Sequence, residues 1–89
     1  MKLTFVKNIQ FTRLLKVNGL LREFNFRKPN NRDESPFTVD VADDYYGNRI
    51  IFHMKKEGEN WKIVPQELPD WVLSKETELD SAIREAIGS

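Results

Sequence analysis

The chain holds one histidine, His53, and no cysteine, so the side chains that most often ligate transition metals or exchange protons near neutral pH are almost missing. His53 lies between Phe52 and Met54, and on a period of two it points away from the face those residues bury. One imidazole does not make a histidine metal site, and work as a general base would need a carboxylate to orient it. The expectation is a surface residue. Asp40, Asp43 and Asp44 carry the oxygen ligands a hard cation takes several at a time. Their spacing departs from a calcium-binding loop, and neither the glycine nor the closing glutamate stands at the required offset. Solubility and turn formation account for them.

Nucleophilic and phosphate chemistry find no better footing. Ser35, Ser74, Ser81 and Ser89 fall in expected loops or in the terminal helix, with no glycine-flanked elbow to expose a nucleophile. Gly19, Gly47, Gly58 and Gly88 are isolated, each explained by a turn or a helix cap rather than a phosphate cradle. No catalytic, cofactor-binding or metal-ligating residue is assigned, and the expectation is a non-catalytic protein without a cofactor.

The least ordinary pattern is charge. Residues 1–32 hold eight basic residues against Glu23 alone, whereas residues 33–89 hold six basic residues against thirteen acidic ones. The formal net charge of zero hides this division. Lys16, Arg22, Arg27, Lys28 and Arg32 are the candidate contact residues. Arg22, Arg27, Lys28 and Arg32 surround Phe24 and Phe26, and basic strands with aromatic platforms are how single-stranded nucleic acids are held. Against that reading, hairpin pairing puts both rings on the face that burial claims, and a neutral chain lacks the long-range attraction such proteins exploit. A two-sided charge distribution instead suits a protein partner or self-association, by steering and fixing register. The alternative is that the two parts neutralise each other across neighbouring strands.

These residues must be positioned by strands and one helix. Asn18-Gly19 separates two β-prone runs, 11–17 and 20–27, and is the preferred two-residue type I′ turn, since both residues tolerate positive φ. The turn pairs Val17 with Leu20, Leu15 with Arg22, Arg13 with Phe24 and Phe11 with Phe26 on a face that looks toward the core, with Arg13 and Arg22 reaching its edge. Thr12, Leu14 and Lys16 then lie across from Leu21, Glu23 and Asn25 on the exposed side. Residues 29–36 read as a mobile loop. Phe37, Val39 and Val41 alternate with Thr38, Asp40 and Ala42 as a half-buried strand. Turn chemistry over 43–48 leads to a strand over 49–55, and a turn over 56–60 to a short fifth strand, 61–64, ended by Pro65. Residues 1–9 read as either a further edge strand or a short helical lead-in.

Leu68-Pro69-Asp70-Trp71 reads as a bend, after which Ser74 or Thr77 caps a helix through about Ile87. Glu76, Glu78 and Asp80 suit its first turns, and Arg84 and Gly88 its end. Leu79, Ala82, Ile83, Ala86 and Ile87 form the apolar stripe, which must cover the sheet, with Trp61 and Trp71 as anchors at the core or its edge. The fold class is therefore α+β: an antiparallel sheet of about five strands, two hairpins plus a short strand, covered on one face by a C-terminal helix. Strands followed by such a helix are loosely similar to pleckstrin-homology-like and other small α+β modules, an architectural analogy that carries no function.

At 89 residues, with 39% apolar and 31% charged, residues 1–89 form a single folded domain. Such a chain buries only about 60–65% of its unfolded surface, which disfavours a deep enclosed site. No apolar run reaches the length of a membrane span and charge interrupts the first residues, so the expected location is cytoplasmic, without membrane association. The expected function is a small non-catalytic protein-interaction domain whose contact surface includes the exposed face of the first hairpin and the 29–36 loop. The alternative is a single-stranded nucleic-acid-binding domain using the basic N-terminal hairpin.

Overall fold

Alternation of apolar and polar residues organises the molecule into one sheet with one buried face. The computed structural model describes residues 8–29, 35–42 and 48–88. Five strands, β1 (Asn8–Val17), β2 (Leu20–Pro29), β3 (Phe37–Ala42), β4 (Arg49–Glu57) and β5 (Asn60–Ile63), are followed by a single helical turn, α1 (Asp70–Leu73), and by α2 (Glu76–Ile87). The sheet is an antiparallel meander in chain order, and it curls so that α2 packs against it beside β5. This is the expected α+β class.

The first hairpin has the register its turn dictates: Val17 faces Leu20, Leu15 faces Arg22, Arg13 faces Phe24 and Phe11 faces Phe26. Asn18 and Gly19 both adopt positive φ, 50° and 84°, which matches the twist of the strands they join. The register continues through Asn8 and Pro29. Thus Asn8 and Ile9 belong to β1 rather than to a helical lead-in, and Pro29 closes β2 instead of opening a loop. Ser35 and Pro36 of that loop carry no regular structure, while residues 30–34 lie outside the described residues, as do residues 1–7 and the 43–47 part of the next turn.

The core is aromatic at its centre. Phe11 stacks on Phe26 with centroids 4.5 Å apart, and Phe37 meets Phe11 edge-on at 5.9 Å and Trp61 at 5.1 Å. Phe37 on β3 therefore touches rings from both edge strands, which requires the sheet's curl. Phe24, Val39, Val41, Phe52 and Met54 are fully buried in one cluster with Val72 of α1 and Leu79 and Ile83 of α2, each such side chain worth about 1.5–3 kcal/mol of transfer free energy. Trp61 is buried and Trp71 half-buried against the same core, as anchors should be.

The C-terminal segment departs from expectation at its start. Asp70 begins a helical turn where a bend was expected, and α2 starts at Glu76 with Lys75 at its N-cap and no side-chain cap. The Ser74 hydroxyl instead donates to the Trp71 carbonyl at 3.0 Å, and Thr77 lies inside the helix. The buried face comprises Leu79, Asp80, Ala82 and Ile83. Ile87 packs at its margin while Ala86 is exposed, so the last turn is only partly covered. Gly88 ends the helix in the left-handed conformation, φ 76°, its N–H donating to the Arg84 carbonyl.

Candidate contact face of the first hairpin

The five basic candidates do not share one surface. Lys16 lies exposed on the outer face of β1. Arg27 shares that face on β2 but is engaged by Asp40 at 3.3 Å. Arg22 belongs to the core-facing set, lies over the Trp71 ring at 4.5 Å and donates to the Ala42 carbonyl at 2.8 Å. Lys28 is 5% exposed and so is part of the interior. Arg32 lies outside the described residues. Alternation explains the split: Lys16 and Arg27 have one parity in the hairpin register, Arg22 and Lys28 the other.

Neutralisation across the chain is partial. Arg13 reaches Glu85 of α2 at 3.0 Å, and Arg27 reaches Asp40, so cations of the first third do find acids of the remainder. Asp40, expected as a turn or solubilising residue, sits mid-strand on β3 and is only 7% exposed. It accepts from Asn25 at 3.2 Å, from Arg27 and from Arg49 at 2.8 Å. Two guanidinium groups arching over a carboxylate bury it even on the outer face, and cross-strand neighbours made this visible only once β3 was paired with both β2 and β4. Thr12 donates to Asn25 Oδ1 at 2.8 Å, so a polar ladder runs Thr12, Asn25, Asp40 across three strands.

His53 points outward as expected, its Nδ1 lying 3.3 Å from the Thr38 hydroxyl. Asp43 and Asp44 lie outside the described residues, and among the described residues no cluster of three or more acidic or histidine side chains could hold a metal ion. Two depressions open to solvent flank the hairpin: one of about 370 Å³ between Gln10, Thr12, Asn25 and Arg27, the other of about 460 Å³ between Val17, Asn18 and the α1 residues Asp70 and Trp71.

Sequence reasoning undervalued the leucines. Leu14, Leu20 and Leu21 are 59%, 63% and 65% exposed. Leu14 and Leu21 lie on the same outer face as diagonal neighbours, because Leu14 pairs with Glu23 and Lys16 with Leu21, while Leu20 stands at the turn. The pattern carries the signal, since alternation puts Leu14 and Leu21 on the side away from the core. Lys16, opposite Leu21, and Glu23, opposite Leu14, supply charge beside them. Among the described residues no helix is long and apolar enough to cross a membrane. Comparison of the chain with known protein families, with curated proteins and with solved structures returned no match.

Proposed function

We propose that this chain is a small non-catalytic interaction domain of the cytoplasm that docks a protein partner through the outer face and tip of its first hairpin. The observation that supports this reading is the outer-face pair Leu14 and Leu21, diagonal neighbours that are both more than half exposed, with Lys16 opposite Leu21 and the exposed Leu20 beside them at the turn on the other face. Single exposed leucines are ordinary, but neighbouring ones rimmed by charge have the make-up of a contact patch. The lack of cysteine fits a reducing compartment.

The nucleic-acid alternative has less support from the positions of its parts. Phe24 and Phe26, the rings that would stack on bases, are 0% and 1% exposed, and Lys28 is interior with them. Lys16, Arg27, Arg49 and Lys55 remain on the outer face, enough for weak electrostatic binding without a stacking platform.

Affinity capture from the native lysate tests the reading. The tagged chain is compared with Leu14→Asp/Leu21→Asp and with Lys16→Glu/Arg27→Glu, each with and without nuclease. The expected result is a protein recovered by the wild-type chain, insensitive to nuclease and lost with the leucine variant. Equal recovery by wild type and leucine variant rejects the hairpin as the contact surface, and nuclease-sensitive recovery transfers the assignment to nucleic acid.

A further inference from the structure

The two edges of the sheet are finished differently. On β5 the backbone N–H groups of Trp61 and Ile63 donate at 2.8 Å to Asp80 Oδ1 and Glu76 Oε2, so α2 lays carboxylates along that edge and occupies its outward donors. At the other side β1 runs ten residues in unbroken register with β2, without proline or bulge. Among the described residues no strand pairs with its far side. The two-residue turn makes Val17 and Leu20 a hydrogen-bonded pair, so the odd-numbered residues of β1 bond to β2 while Gln10, Thr12, Leu14 and Lys16 turn their N–H and C=O groups outward. A regular edge of this length is a template for another strand.

We propose that β1 pairs antiparallel with β1 of a second copy about a two-fold axis at Leu14, joining two five-stranded sheets into one continuous sheet. This deepens the reading of the hairpin as a contact surface by naming the partner. A two-fold interface must be complementary to itself, and this register is. Leu14 meets the second copy's Leu14, burying the most exposed apolar side chain of the strand, with Leu21 on the diagonal. Lys16 meets the second copy's Thr12. That hydroxyl donates to Asn25, which in turn donates to Asp40, so it offers free lone pairs to an ammonium that has only donors. Each Lys16 thereby extends a ladder that ends on a carboxylate. On the inner face Arg13 meets Leu15 and Phe11 meets Val17.

The neighbouring registers are poorer. Centring on Arg13 sets two guanidinium groups directly opposite, which is destabilising. Centring on Thr12 sets Leu14 against Gln10 and leaves Lys16 off the ladder.

The chain has no cysteine, which makes single-cysteine scanning a direct test. Residues facing each other in a hydrogen-bonded pair have Cα atoms about 5.5 Å apart, within disulfide range. The purified 89-residue chain is examined by sedimentation velocity across concentration, and Thr12→Cys, Leu14→Cys and Lys16→Cys are oxidised in parallel. The expected result is a dimer, with cross-linking fastest at Leu14→Cys. Leu14→Lys, which sets like charges on the axis, and Thr12→Pro, which removes an outward N–H from each copy, should each weaken the dimer about tenfold or more. Circular dichroism checks that both variants keep the sheet, the expected outcome because neither change touches a β1–β2 backbone bond. A monomer at the highest concentration overturns the proposal, as does a dimer that cross-links best at Thr12→Cys or at none of the three. A monomer that still captures another protein through Leu14 and Leu21 rejects self-pairing alone and leaves the hairpin a contact surface.

Discussion

Asp80 and Asp40 are both buried carboxylates, 4% and 7% exposed, yet their neighbours give them different weight. Asp80 accepts from the buried Trp61 N–H at 2.8 Å, from Asn60 at 2.9 Å and from Arg84 at 3.3 Å. Removing it strands a backbone donor that water does not reach. Asp80→Ala is therefore expected to cost about 2–4 kcal/mol. The guanidinium groups on Asp40 are half exposed and regain water when the carboxylate goes, so Asp40→Ala is expected to cost about 1 kcal/mol. Urea unfolding of the two variants checks the order, and a larger loss at Asp40 would refute this account. Arg13 and Glu85 are both solvent-accessible, and Glu85→Gln should change stability by less than about 1 kcal/mol.

The first hairpin depends on its turn. Gly19 has φ 84°, and a Cβ built there meets nothing within 4 Å, so any cost of a side chain is backbone strain alone. Gly19→Ala is expected to lose about 1–2 kcal/mol, read as a fall in Tm of about 4–16 °C for a domain of this size. An unchanged Tm would show that the turn does not hold the positive φ. The pairing of β1 and β2 was legible because turn length fixes register and register fixes face. The start of α2 was not. Capping residues at Ser74 and Thr77 were present, but the Trp71 carbonyl takes the Ser74 hydroxyl, and Glu76 turns to the edge of β5. Helix-dipole logic placed the acids correctly in the first turns and missed that two of them serve a strand.

Among the described residues one core is shared by every element, with Phe24, Phe26, Phe37 and Phe52 buried to 1% exposure or less. Deleting a buried phenylalanine costs about 3–5 kcal/mol, against a total stability of about 5–15 kcal/mol for a typical domain. Phe52→Ala should therefore remove a large share of the stability, seen as a fall in Tm of more than about 10 °C by circular dichroism. A variant that melts within 5 °C of the wild type would contradict the single-core account. The candidate surface was only partly legible at this scale. Parity set Lys16 and Arg27 apart from Arg22 and Lys28, but the charge count along the chain was blind to parity and pooled them.

Local chemistry alone determined the α+β class, the five strands, the hairpin register and the helix's end, because turn geometry, alternation and capping act over a few residues. Tertiary structure decided the rest. Asp40 is buried because strands from three parts of the chain bring Asn25, Arg27 and Arg49 to it, and the β5 edge is closed because α2 returns to it with Glu76 and Asp80. Both depend on where distant segments meet, and no local pattern carries that information.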